Sequence, residues 1–286
     1  MKFGIRGQLT DVITCAKFLV DRFRGYGVLT PPKLPFPIDL LRRPYNSSHY
    51  RATLWLNYRT ISSNLIWRWL FQSHHTRAIL LTESGSAVYD KRFERLPKRN
   101  VTLAYYLQSY KYFEQVEEQL RVDLTFKPNI LAAAREWLRE KTPMKWRTKN
   151  VVRVLIHVRR TDFTSWARVS DGWSRPTIGY FRRSMSYFNV CLKRVLFVVL
   201  SDDQRWCKQN IRADNIVYSN GQSPIIDMAI ASLCDHAIIT VGSYGWWAAW
   251  FANGITVTQS SFPRKGSTLT KRLYRDDFYK AEWIAL

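Results

Sequence analysis

Four chemically active side chains directly follow an apolar segment in the middle of the chain. The stretch VVRVLIHVRRTDF places His157, Arg159, Arg160 and Asp162 within six positions. A guanidinium group is a planar fork of donors that matches pairs of phosphate oxygens and keeps its charge. Two adjacent arginines at the end of a strand therefore indicate a diphosphate clamp. The same spacing also allows an ion pair between Arg160 and Asp162 that only ties a loop.

Two further polar groups end apolar segments. Ser201, Asp202 and Asp203 follow VLFVVL, and Ser243 lies in GSYGWW after AIITV. Ser243 is predicted to begin a helix, where unpaired N–H groups and the helix dipole favour a phosphate. The sequence contains no D-x-D pair, so the usual aspartate site for a metal–nucleotide complex has no candidate. We therefore expect no metal, and expect the arginines to replace the cation.

The elements that must position these groups are predicted from residue 151 onwards. Apolar segments predicted as strands lie at 151–158, 194–200, 215–219, 237–241 and 255–259, and helix-forming segments separate them. Near-continuous apolar strands alternating with helices predict a parallel sheet covered on both faces. Ligands bind beyond the carboxyl ends of the strands in such a sheet. We predict an α/β fold whose C-terminal, Rossmann-like lobe turns three polar strand ends towards one crevice.

The length and composition of the chain indicate how many lobes it can form. With 286 residues, 46% of them hydrophobic, the chain is long enough for two packed lobes and is not of a disordered class. We place the boundary in the basic stretch EKTPMKWRTKNVVR. This gives an N-terminal α/β or helical lobe at 1–145 and a Rossmann-like lobe at 146–286. The four scattered cysteines, Cys15, Cys191, Cys207 and Cys234, are predicted to be buried thiols rather than a disulfide scaffold.

The charge of the chain suggests a different function. A net charge of +22 attracts polyanions of every kind, so a nucleic-acid-binding module is one alternative. Against it, acidic residues cluster at the predicted strand ends, and no Lys/Arg-rich tail or nucleic-acid motif is present. No apolar run approaches the roughly 18 residues of a membrane span, and no targeting segment is visible.

Four motifs in order resemble those of the galactoside 2-α-L-fucosyltransferases. HVRRTDF resembles their H-x-R-R-x-D-[FY] motif, and YYLQSYKYF resembles a G-Y-x-Q-S-x-K-Y-F segment. FVVLSDDQRWC resembles F-x-x-x-S-[DN]-x-x-x-W-C, and DMAIASLCDHAIITVGSYGWWAA resembles the family's last long block. Four ordered motifs are far more specific than any one of them. The family's Gly-rich first segment has only a faint counterpart in RGQLTDVITCAKF, so a catalytically inactive, nucleotide-binding relative is a second alternative.

The resemblance implies a GT-B-like, two-lobed, inverting and metal-independent enzyme. It would transfer L-fucose from the donor GDP-fucose to the 2-hydroxyl of a terminal galactose on a glycan, with the acceptor on the side of the N-terminal lobe. Carried over by position, it implies catalytic roles for Arg159 and for Asp162, which would orient the arginines. It implies that GDP-fucose is bound by His157, Arg159, Arg160, Ser201, Asp202, Asp227 and Ser243.

The resemblance also implies where the enzyme works. It implies a Golgi lumen or membrane location, glycans at the sequons of Asn46 and Asn100, no nucleic-acid partner, and an anchor that this chain does not show. It leaves open the general base for the acceptor hydroxyl, for which Asp162 and Asp171 are the candidates.

Overall fold

The structure, a computed structural model, describes residues 79–85, 87–96, 101–104, 107–221 and 223–286. The predictions for the Gly-rich first segment, for Cys15 and for the sequons of Asn46 and Asn100 lie outside these residues. The chain divides into two compact units. Unit 1 comprises Met1–Thr125 and Lys271–Lys280, and unit 2 comprises Phe126–Thr270 and Ala281–Leu286. The boundary between 145 and 146 stays a prediction from sequence.

The described elements follow one another as short strands and helices. The strands are β1 (Ile79–Thr82), β2 (Val101–Ala104), β3 (Val152–Val158), β4 (Val195–Ser201), β5 (Ile216–Tyr218), β6 (His236–Ile239), β7 (Thr256–Thr258) and β8 (Ile284–Ala285). The α-helices are α1 (Glu117–Asp123), α2 (Pro128–Lys141), α3 (Trp166–Asp171), α4 (Ile178–Cys191), α5 (Gln204–Asn210), α6 (Pro224–Ala231), α7 (Ser243–Ala252) and α8 (Arg275–Phe278). Single 3-10 turns include Met144–Trp146 and Asp162–Thr164.

Unit 1 is organised around a buried acid. Its strands β1 and β2 pair in parallel. Glu83, which follows β1, is 4% exposed, and its Oε2 accepts the N–H of Leu107 at 3.0 Å. The hydroxyl of Tyr112 lies 3.1 Å from Oε1 and 3.2 Å from the carbonyl of Val88. Burial raises the pKa of Glu83 to about 8. The side chain is therefore mainly protonated at neutral pH.

Unit 2 is built on a six-stranded, wholly parallel sheet in the order β5-β4-β3-β6-β7-β8. The predicted α/β class and parallel sheet are confirmed, and the five predicted strands lie within two residues of their predicted bounds. Strand β8 was not predicted, because two residues are too few to show a period. The order places β4 on one side of β3 and β6 on the other. Beyond the carboxyl ends of β3 and β6 the chain therefore diverges and leaves a crevice.

Alternate residues of β3 face opposite sides of the sheet. Val154, Ile156 and Val158 pack on α4 in one apolar core. The intervening residues face the other side, where the backbone of α7 packs on His157.

Most of helix α7 is buried, including every residue from 245 to 250. Its side chains Trp246, Trp247 and Trp250 are 5%, 5% and 1% exposed. The core-packing interpretation of these residues is therefore correct, since all three are removed from water rather than offered to a sugar.

The thiols and the helices also bear on the predictions. Cys207 and Cys234 are buried free thiols, as predicted, but Cys191 is exposed at the end of α4.

Within the ranges that the structure describes, no helix combines the length and the apolar character needed to cross a membrane.

We predict that Glu83→Gln removes a pH-dependent loss of stability. The carboxyl ionises near 4.5 in an unfolded chain but near 8 in the fold. Between these values the unfolded chain binds fewer protons, so the free energy of unfolding falls by up to about 1.4 kcal/mol per pH unit as the pH rises. Glutamine has nearly the shape of the protonated acid and cannot ionise.

Thermal unfolding from pH 5 to 8.5 measures the effect. The melting temperature of Glu83→Gln should rise above that of the wild type as the pH increases, whereas exposed Glu118→Gln should follow the wild type. Parallel curves for the wild type and Glu83→Gln would show that Glu83 is already ionised in the fold.

Candidate functional site

The turn after β3 is held by side chains at the ends of its two neighbouring strands. On the β6 side, Thr240 Oγ1 accepts the backbone N–H of Arg159 at 2.8 Å. On the β4 side, Asp202 Oδ1 accepts the N–H of Arg160 at 2.9 Å, and Oδ2 accepts the N–H of Thr161 at 3.1 Å. The hydroxyl of Thr161 also donates to Oδ2. The three strand ends are thus joined around this turn.

A carboxylate lies beside the inner guanidinium nitrogen, Nε, of each arginine. Nε of Arg159 lies 2.8 Å from Asp162 Oδ1, and its Nη1 lies 3.3 Å from Asp202 Oδ2. Nε of Arg160 lies 3.2 Å from Asp203 Oδ2. The ion pair weighed from spacing, Arg160 with Asp162, is therefore replaced by two others. Asp162 binds the first arginine, and the second turns to the end of β4.

Aromatic rings fix the planes of both guanidinium groups. The guanidinium carbon of Arg160 lies 4.0 Å from the ring centroid of Trp206, and that of Arg159 lies 5.8 Å from the ring of Phe163. These are cation–π distances. Both Nη atoms of Arg160 and Nη2 of Arg159 have no hydrogen-bond or ion-pair partner among the described residues. With side chains 19% and 26% exposed, the two arginines offer these outer nitrogens to an anion.

The start of α7 adjoins the arginines. Gly242 has φ +104, a backbone conformation that favours glycine, and Ser243 then begins the helix. A Cβ atom on Gly242 would lie 3.7 Å from the ring of Phe163 and 4.0 Å from Cγ of Arg159. The first N–H groups of a helix have no partner within it, and no side chain caps this one. The helix start therefore places backbone donors beside the arginines, where an anion could accept them.

His157 is buried beneath this helix and is 5% exposed. A Cβ atom at Gly245 would lie 2.5 Å from its Nδ1, so only glycine fits there. Burial lowers the pKa of His157 to about 4, with Arg159 acting in the same direction and Asp202 against it. The imidazole is therefore neutral at physiological pH and can donate or accept one hydrogen bond.

Asp227 is a buried acid in the first turn of α6. Its Oδ1 accepts the hydroxyl of Ser219, just after β5, at 2.8 Å. Burial raises the pKa of Asp227 to about 7, while the bond from Ser219 opposes the rise. Tyr244 donates from its hydroxyl to the carbonyl of Pro224 at 2.6 Å and so ties α6 to the start of α7. Asp227 is close to half ionised at neutral pH.

Two candidate residues remain, Ser201 and Asp171. The hydroxyl of Ser201 accepts the N–H of Asp203 at 2.9 Å in the turn that begins α5. Asp171, the other candidate base, ends α3. No group of three or more His, Cys, Asp or Glu side chains that could hold a metal occurs in the described part of the chain.

Three residues that shape the site had no role predicted from the sequence. Thr240 receives the backbone of Arg159, Trp206 stacks on Arg160, and Gly245 makes room for His157. The WC and GSYGWW motifs contain two of them. Their contacts, however, depend on which strands are neighbours, and spacing does not show this.

Most of the chain is similar in sequence to a known family and to its curated members. The sequence model of the family described as "Glycosyl transferase family 11" matches residues 66–286. Galactoside 2-alpha-L-fucosyltransferase SEC1 of Bos taurus is 28% identical over 207 residues, which are 69% of this chain and 54% of that protein. Galactoside alpha-(1,2)-fucosyltransferase 2 of Sus scrofa is 26% identical over 202 residues, which are 69% of this chain and 59% of that protein.

Solved structures show a weaker likeness. NodZ alpha-1,6-fucosyltransferase co-crystallised with GDP has a TM-score of 0.32 at 15% identity, covering 47% of this chain and 45% of that one. POFUT1 in complex with GDP-fucose has a TM-score of 0.37 at 11% identity, covering 54% and 49%. These scores are low, so the family assignment rests on the sequence.

The match to the family model extends over both units of the described structure. The chain spans little more than half the length of the curated relatives it matches. Because the family model covers 66–286, well over half of the chain, the protein belongs to glycosyl transferase family 11.

Proposed function

We propose that the protein transfers L-fucose from GDP-fucose to the 2-hydroxyl of a terminal galactose on a glycan. One observation carries the proposal. Arg159 and Arg160 are held through their Nε atoms, while Nη2 of Arg159 and both Nη atoms of Arg160 have no described partner beside the start of α7. Such a group of fixed donors suits a diphosphate. The names of the relatives supply the sugar and the position of the hydroxyl.

The chemistry follows from where charge develops. The acceptor hydroxyl attacks C1 of fucose from the face opposite the diphosphate, and the C1–O bond to GDP breaks with its electron pair. Negative charge then grows on the β-phosphate, where Arg159, Arg160 and the first N–H groups of α7 stabilise it more than in the ground state. Because Asp162 and Asp203 already hold the arginines, little reorganisation is needed. The proton of the acceptor hydroxyl passes to a base, for which Asp162 and Asp171 remain the candidates.

We propose that the nucleoside binds at the ends of β4 and β5. Guanine presents two adjacent N–H donors, and a carboxylate accepts both at once. Asp227 is the buried carboxyl in the first turn of α6 and is suited to this role once ionised. Neutral His157, Ser201 and Asp202 complete the nucleotide contacts in this proposal. We also propose, from the family, that the acceptor binds on the side of the N-terminal lobe and that the enzyme works in the Golgi.

The alternative of an inactive, nucleotide-binding relative has its own test. Such a protein would bind GDP without turning over GDP-fucose, so calorimetric GDP binding and an assay for fucosylated galactoside are made on the same preparation. A nucleic-acid-binding protein would instead bind single-stranded RNA more tightly than GDP and lose that binding steeply with salt.

Arg159→Lys should lose GDP affinity almost as fully as Arg159→Ala. Lysine keeps the charge but has a single nitrogen, so it cannot hold Asp162 and Asp202 and still offer a further donor to a phosphate. A charge-assisted contact contributes about 1.5 to 3 kcal/mol, which corresponds to roughly tenfold to a hundredfold in Kd. Calorimetric titration with GDP measures the loss, and exposed Arg182→Lys on α4 is the control. Wild-type affinity in Arg159→Lys and Arg159→Ala would remove the basis of the proposal.

Asp202→Asn tests whether this carboxylate positions the arginines or merely repels the ligand. By charge alone, removing a negative group near a diphosphate should tighten GDP binding. Asparagine, however, replaces one acceptor oxygen with an amide donor, so the backbone N–H of either Arg160 or Thr161 loses its acceptor. We expect a loss of GDP affinity of about tenfold.

The control for this experiment is Asp214→Asn. It removes one exposed carboxylate just before β5, at the amino ends of the strands, whereas Asp202 lies at their carboxyl ends. It should leave GDP affinity unchanged. Tighter GDP binding by Asp202→Asn would show that charge outweighs positioning.

Fucose transfer should persist in excess EDTA, because the proposed cations at the diphosphate are arginines. The assay compares initial rates with and without chelator after exhaustive dialysis. Loss of activity that Mn²⁺ or Mg²⁺ restores would show that a metal takes part.

A further inference from the structure

We propose that Trp166 is a stacking platform for the galactose ring of the acceptor, an inference that rests on the proposed function. Trp166 is the first residue of α3 and is 83% exposed. Tryptophan offers a large, rigid apolar face with few rotamers, which makes it a frequent anchor at binding surfaces. The other tryptophan just after the arginines, Trp173, packs between Phe163 and Phe262. Packing against other aromatic rings therefore explains why position 173 is a tryptophan. It does not explain why the exposed position 166 is one.

The position of Trp166 follows from the arginine turn. Asp162, which binds Arg159 at 2.8 Å, begins the 3-10 turn Asp162–Thr164, and Trp166 lies four residues further on. Four peptide units span at most about 15 Å, and the 3-10 turn shortens that distance. The donor sugar projects from the β-phosphate held by the arginines. A fucosyl group and one acceptor sugar can therefore bridge the gap to Trp166.

The loop that carries Trp166 is braced at both ends. Nη2 of Arg175 donates to the carbonyl of Thr164 at 2.7 Å, just before the tryptophan. After α3, the N–H of Arg264 donates to the carbonyl of Gly172 at 2.9 Å, and its Nη2 donates to that of Ser170 at 3.1 Å. The exposed indole is thus presented from a fixed segment. A ligand that stacks on it need not order the loop.

The chemistry of galactose fits an indole face. The axial 4-hydroxyl leaves the C–H groups at C3, C4 and C5 together on one side of the ring, and this apolar patch packs on an aromatic plane. The opposite side and the 2-hydroxyl remain available for the reaction. A sugar without that patch, such as mannose, should stack less well.

The test separates acceptor binding from donor binding. Trp166→Ala should raise the KM for lactose by about tenfold, the scale of one lost aromatic contact. The Kd for GDP should stay within twofold of the wild type, and Trp166→Phe should recover most of the loss. The control is Val190→Ala, an 82% exposed apolar residue in the last turn of α4, which lies before the amino end of β4, whereas Trp166 follows the carboxyl end of β3. An unchanged KM for lactose, or equal losses for lactose and GDP, would overturn the assignment.

A second measurement keeps the inference testable if the wild-type chain does not transfer fucose. Saturation-transfer NMR then reports direct binding of lactose, with mannose as the comparison sugar. A lactose signal that disappears in Trp166→Ala and persists in Val190→Ala supports the platform even though the proposed reaction has failed. A signal that is absent from the wild type, or equal in both variants, overturns the inference whatever the outcome of the GDP titration.

Discussion

The site depends on one carboxylate that receives four donors from a single turn. Asp202 accepts two backbone N–H groups, one hydroxyl and one guanidinium nitrogen from residues 159–161. Because one carboxylate accepts all four donors, the backbone of this turn has few alternative paths. The direction of both arginine side chains follows from the path of that backbone. Asp162 and Asp203 then set the final orientation of each guanidinium.

This arrangement reconciles a basic site with its acidic surroundings. Three carboxylates surround two guanidinium groups, so a count of charges alone would argue against an anion site. The geometry is compatible with the proposed anion site, because the carboxylates contact mainly the inner nitrogens and the backbone, while the outer nitrogens of Arg160 have no described partner. Fixed donors of this kind can act on a developing charge more effectively than free cations of equal number.

Much of unit 2 could be predicted because its strands are buried on both faces and are therefore continuous apolar runs. The start of α7 at Ser243 was predicted as observed. The partners of the arginines could not be predicted, since Asp203 comes within reach of Arg160 only when β4 lies beside β3. For the same reason the roles of Thr240 and Gly245 required the sheet order. Two other features depend on contacts between residues that are distant in sequence, and local sequence patterns do not reveal such contacts. They are strand β8 and the inclusion of residues 271–280 in unit 1.

The burial of most of α7 has a thermodynamic consequence for any anion at its start. Its tryptophans lock the helix in the core, so its first N–H groups stay in place whether or not a ligand is present. Binding there freezes few protein torsions and exposes or buries little new apolar surface. The entropy of association should then come mostly from released water and from the ligand, and the heat-capacity change should be small. The helix therefore presents a fixed set of backbone N–H donors. Any adjustment to the ligand is made by the arginine side chains.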